Sequence, residues 1–102
     1  MVKIHFSEHA QYDRQDRIVR IATSIGFGEV VHIFRRKNQY GYTRHCITST
    51  GVVVIKDDKQ ETVITMFACT EKQLLGYYNN RKPPNAVYKA VMRNSKKKYL
   101  FE

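Results

Sequence analysis

Thr50-Gly51-Val52-Val53-Val54-Ile55-Lys56 is the stretch on which the fold turns. A glycine turn signal leads into a run of β-branched residues that stops at a lysine. A run this short, apolar on both faces, predicts a central strand covered on both sides. Outward from it, Asp57-Asp58-Lys59-Gln60 reads as a loop and Thr62–Ala68 as the last strand. On the other side Tyr40–Thr48 reads as a strand, preceded by a basic turn at Arg35-Arg36-Lys37-Asn38 and a strand at Val30–Phe34. Strands joined by such short loops pair as an antiparallel meander.

The flanks change period. Val2–Phe6 alternates and predicts a short first strand. Ser7 is placed to cap a helix running from Glu8 to about Ile25, with Ile18, Ile21, Ala22 and Ile25 on its buried face. Asp13–Arg17 is polar enough to hold a break in that helix. Thr70 is placed to cap a second helix to Tyr78, and Pro83-Pro84 ends a linker. A last helix, capped by Asn85, runs to about Lys96 with Val87, Ala90 and Val91 inward. The predicted class is α+β: an N-terminal helix packed on an antiparallel sheet of four to five strands, plus a C-terminal helix. Residues 1–80 form the core, and residues 81–102 a basic helix and tail of the same domain.

The chain has 102 residues, which suits one domain. Eighteen Lys and Arg against nine Asp and Glu give a formal charge of +9. Residues 71–102 hold eight basic and two acidic residues, a net +6. Such an excess steers polyanions, so nucleic acid, RNA above all, is the first partner expected, the alternative being a basic surface that only aids solubility. Arg35, Arg36 and Lys37, with Lys89, Arg93, Lys96, Lys97 and Lys98, are the expected nucleic-acid contacts. The alternative for the terminal lysines is a solvated, partly disordered end. No apolar stretch is long enough for a membrane helix, and the start turns polar too soon for a signal peptide. With only Cys46 and Cys69, a cytoplasmic, reduced protein is expected. No metal-binding, phosphate-loop or cofactor motif is present, so neither metal nor cofactor is expected.

Four histidines, His5, His9, His32 and His45, can exchange protons near neutral pH. Metal-free RNA cleavage needs a base for the 2′-hydroxyl, an acid for the 5′-oxygen and cations for the phosphate. On a helix, His9, Asp13, Asp16 and Arg20 fall near one stripe with Arg17 beside it; surface ion pairs account equally for Asp13–Arg17 and Asp16–Arg20. Strand alternation separates Arg44 from His45, so both cannot enter one site without a bulge. Thr65 is polar on an apolar strand, and a buried threonine ordinarily bonds a neighbouring backbone group.

Phe6-Ser7-Glu8-His9-Ala10, then Arg14 and Arg17, followed by a meander ending in Val63-Ile64-Thr65-Met66-Phe67, resembles small domains of the barnase–EndoU–colicin–RelE superfamily. The resemblance covers about residues 4–69. It implies a helix against a curved antiparallel sheet and metal-independent endoribonuclease activity of a toxin-like kind, leaving a 2′,3′-cyclic phosphate. Such domains occur in bacterial conflict systems, phages and mobile elements. It also implies catalytic roles for His9, Arg14, Arg17 and Thr65. The competing expectation is a non-catalytic basic module that binds nucleic acid or an acidic protein, such as a phage-type inhibitor of a host factor. An inhibitory protein partner is a further expectation of the toxin-like reading.

Overall fold

A computed structural model describes residues 5–6, 15–39 and 41–101. It is an α+β fold. Strands β2 (Val30–Asn38), β3 (Gly41–Thr48), β4 (Val52–Asp57) and β5 (Thr62–Ala68) form an antiparallel meander. Strand β1 (His5–Phe6) joins the edge beside β5, giving the order β1-β5-β4-β3-β2. Its pairing is parallel, with His5 opposite Thr62 and Phe6 opposite Val63, which departs from the all-antiparallel expectation. Parallel neighbours need a long connection. Here helix α1 (Gln15–Ser24) and the first three strands of the meander lie between the two strands.

Val52–Ile55 sits in the middle of the sheet, as its two apolar faces require. Val52 and Val54 face a core with Ile21 of α1, Cys46, Val63, Met66, Ala68 and Leu100. Val53 faces the opposite core, with Ile47, Cys69, Leu74, Val87 and Val91. Helices α2 (Glu71–Tyr77) and α3 (Asn85–Asn94) supply that second layer. Both cysteines are free and buried, and burial pushes the Cys69 thiol up to about 12.

Helix α2 starts in a capping box. Gln73 N–H donates to Thr70 Oγ1 and Thr70 N–H donates to Gln73 Oε1, satisfying two donors the helix would leave open. Helix α3 differs from expectation. Pro84, with extended ψ, precedes it and gives no side-chain cap, and Asn85 is its first residue. Proline's fixed φ suits the entry to a helix, but it offers no side-chain acceptor to the open N–H groups of the first turn.

Arg35-Arg36-Lys37-Asn38 is not a turn: β2 continues through it, with Asn38 opposite Gly41. An edge strand leaves long cationic side chains in water, so charge does not end it. The strand is also held across the sheet. Arg35 lies 3.8 Å from the Tyr42 ring centroid and makes a two-point contact with Asp58 at 2.9 and 2.8 Å.

The chain end is not simply solvated. A 3₁₀ turn at Lys98–Leu100 buries Leu100 in the α1-side core. Arg20 Nη1 donates to the Tyr99 carbonyl at 2.9 Å, and the Ser24 and Tyr99 hydroxyls lie 2.7 Å apart. Among the described residues no helix is long and apolar enough to cross a membrane.

Candidate functional site

Strand register builds the site. Phe34 lies opposite His45, His45 opposite Ile55, and Ile55 opposite Thr65, forming one row across four strands. Side chains in one such row share a face. Two residues further along, Arg36, Thr43 and Asp57 form a second row on that face. In the opposite direction the face dives beneath α2 and α3 through Ile47, Val53 and Phe67. The helices therefore cover only its apolar end and leave the His45 end as a cavity of about 520 Å³. A register shift beyond Ile55 pairs Lys56 with Val63 and leaves Ile64 as the extra residue of a bulge. Both Ile64 and Thr65 line the cavity.

His45 stands at its centre. Its Nδ1 is 2.6 Å from the Tyr77 hydroxyl at the end of α2, and its Nε2 is 3.0 Å from Thr43 Oγ1. Two tautomers satisfy both bonds. Either Tyr77 donates to Nδ1 and Nε2–H donates to Thr43, or Nδ1–H donates to Tyr77 and Thr43 donates to Nε2. Burial, and then the charge of Arg36, holds the imidazole below its ordinary pKa of 6.5. It is therefore neutral at pH 7 with one lone pair to offer. Burial likewise raises Tyr77, so its hydroxyl stays protonated.

An aromatic wall fixes these groups. The Phe34 ring stacks on Tyr77 at 5.7 Å and meets Tyr78 edge-on at 5.1 Å, while His32 Nδ1 lies 2.6 Å from the Tyr78 hydroxyl. The Arg36 guanidinium sits 5.2 Å from the Tyr77 ring centroid, within cation–π range. Lys37 and Tyr42 complete the cationic, aromatic rim. Asp57 also lines the cavity, but its Oδ2 is engaged by the backbone N–H groups of Lys59 and Gln60 at 2.9 and 3.3 Å.

Thr65 corrects the bland expectation for a buried threonine. Its Oγ1 is buried with no hydrogen-bond partner, rather than bonded to nearby backbone. Buried hydroxyls are almost always satisfied, so this orphan on a residue of the cavity wall stands out.

The structure brings together Thr65, Arg36 and Lys37 of the expected site residues. Arg17 belongs to α1, which packs on the opposite face, and does not line the cavity. His9 and Arg14 lie outside the described residues. Arg35 is on the far face, held by Asp58. Arg44 is also on the far face, tied to Asp57 and Gln60 carbonyls and to Glu61. Lys89, Arg93 and Lys96 are exposed, Arg93 and Lys97 border a separate cleft, and Lys98 begins the 3₁₀ turn. Thr43 and Tyr77 are residues that sequence reasoning passed over, and His45 is one of four candidate histidines that it did not assign to the site. Alternation did set His45 apart from Arg44, but nothing local points to Tyr77. Among the described residues no three His, Cys, Asp or Glu side chains gather as a metal centre would require.

Compared with known proteins, the chain matches no family model, no curated protein and no solved structure.

Proposed function

We propose that this protein is a metal-independent endoribonuclease of the kind its sequence resembles, with His45 as general base. The observation that supports this best is a neutral, half-buried histidine beside Arg36 and an unpartnered hydroxyl, in a cavity rimmed by cations. In the tautomer that donates Nδ1–H to Tyr77, Nε2 carries the lone pair toward Thr43. A substrate 2′-hydroxyl takes the place of Thr43 at Nε2 and gives up its proton there. The 2′-oxygen then forms its bond to phosphorus as the 5′-oxygen leaves and takes a proton from solvent. Arg36 and Lys37 stabilise the charge gathering on the phosphate, and Thr65 donates to a non-bridging oxygen.

Both ring nitrogens of His45 already have internal partners, and this favours one second reading: a basic module that binds nucleic acid or an acidic protein without cleaving. Incubation with total RNA in EDTA, followed by mapping of the ends, decides between them. Cleavage with 2′,3′-cyclic phosphate ends, reduced about 10²–10⁴-fold in His45→Ala, is the expected result. Intact RNA with the folded wild-type protein would overturn the enzymatic reading.

A further inference from the structure

A second cavity, of about 250 Å³, lies at the opposite end of the sheet from His45, where the β3–β4 turn meets the C-terminal ends of α1 and α3. Ser24, Ser49, Thr50, Arg93, Asn94 and Lys97 line it together with the apolar Ile25 and Ala90, and among the described residues no acidic side chain does. Its walls are braced. Asn94 Nδ2 donates to the Thr50 carbonyl at 2.8 Å, and Thr50 Oγ1 donates to the Gly26 carbonyl at 2.9 Å. Gly51, in the left-handed region, lets the turn press against α3, where a Cβ would stand 3.0 Å from Asn94 Nδ2.

The donors left over face one volume. Ser49 Oγ accepts the Glu29 N–H at 3.1 Å and keeps its own proton to give. When Tyr99 donates to Ser24, Ser24 keeps its proton too. Arg93, in the last turn of α3, and Lys97, just beyond its end, make no ion pair among the described residues. Stabilising the carbonyl end of α3 accounts for one cation in its last turn, which is Arg93. It does not account for the hydroxyls or for the hollow between them. Two hydroxyls, a guanidinium and an ammonium around a small polar cleft form a donor set for a tetrahedral oxyanion.

We propose that this cleft binds a phosphodiester group of single-stranded nucleic acid, at a distance from the His45 cavity. The identity of the polymer rests on the RNA reading above; the oxyanion chemistry does not. Thr43 of the first cavity and Ser49 of the second are six residues apart along the chain. At about 3.3 Å per residue, they lie roughly 20 Å apart. One strand engaging both would be held at two points, and two-point binding multiplies affinity without new contacts at either site.

The test uses inorganic phosphate and a single-stranded oligodeoxynucleotide, which lacks the 2′-hydroxyl and so cannot be cut by the proposed chemistry. Failure here is thereby kept separate from failure of the cleavage reading. Phosphate titration should shift the backbone amide signals of Ser49, Thr50 and Asn94 saturably, and the shifts should vanish in Arg93→Gln/Lys97→Gln. The same variant should weaken oligodeoxynucleotide binding about tenfold, as loss of a charged hydrogen bond requires. It should also reduce the dependence of log affinity on log salt by about 0.7, the share of one phosphate on a single strand. Lys89→Gln/Lys96→Gln removes the same charge from the exposed side of α3 and its end, outside the cleft, and should cost clearly less. Equal losses in the two variants would overturn the proposal in favour of diffuse attraction. Phosphate binding without any change in oligonucleotide affinity would overturn it in favour of a small-molecule phosphate. Melting temperatures of both variants confirm that they fold, since none of the four side chains is buried.

Discussion

Replacing Thr65 by valine separates stability from chemistry at one atom. Valine has nearly the shape of threonine, suits a strand and removes the only unmade donor at that position. Thr65 Oγ1 is buried without a partner, and such a group costs about 1–3 kcal/mol in the folded state. Thr65→Val should therefore stabilise the protein by about 1 kcal/mol, the lower end, because the residue as a whole is only half-buried. In a domain of this size that is a rise in Tm of roughly 4–8 °C. If the hydroxyl serves the substrate phosphate, RNA cleavage should fall about 10–100-fold, equivalent to one lost charged hydrogen bond of about 1.5–3 kcal/mol. Thr65→Ser is the matched control: it keeps the hydroxyl and removes a methyl group, so it should lose stability and retain cleavage. Urea and thermal unfolding supply the first readout, and initial cleavage rates the second. A destabilised Thr65→Val would show that the hydroxyl has a partner after all. A stabilised variant with unchanged cleavage would show that the orphan is structural only.

Three further outcomes follow from other parts of the fold. His9→Ala is the rival of His45→Ala: a loss of about 10²–10⁴-fold in the first with little change in the second would move the general base to His9. The lowered pKa of His45 makes the unfolded chain bind more protons below pH 6.5. Stability from this group is complete above that value and falls as pH drops through it, and His45→Gln should flatten the slope in urea unfolding between pH 7 and 5. Gly51→Ala should destabilise by about 1–2 kcal/mol for the left-handed backbone alone, and more through the clash with Asn94 and Val91, measured by urea unfolding.

What was legible in the sequence was whatever is decided locally. Val52–Ile55 announces a central strand because no solvent-facing residue interrupts it, and Thr70 announces a helix start because its cap partner is three residues away. The misreadings arise where a distant partner decides. Arg35, Arg36 and Lys37 look like a turn until Asp58 and Tyr42 are placed beside them. The His45 site depends on register across four strands and on Tyr77, 32 residues further along the chain. Thr65 stands out on its own strand as a polar exception, but only the family resemblance gives it a catalytic role. The bulge at Ile64 has no marker in composition, yet it shapes the rim of the cavity.

The strap formed by Tyr99 and Leu100 bears on the timing of assembly. Leu100 completes the core around Ile21, and the Arg20–Tyr99 bond joins positions 79 residues apart in the chain. A chain emerging from the ribosome makes its first helix early but cannot close this layer until residue 100 has been added. Loop closure over that distance puts the step late in folding. Nascent chains paused before that point should expose Ile21 and Met66 and recruit hydrophobic-surface chaperones, while chains in which Leu100 has docked should not.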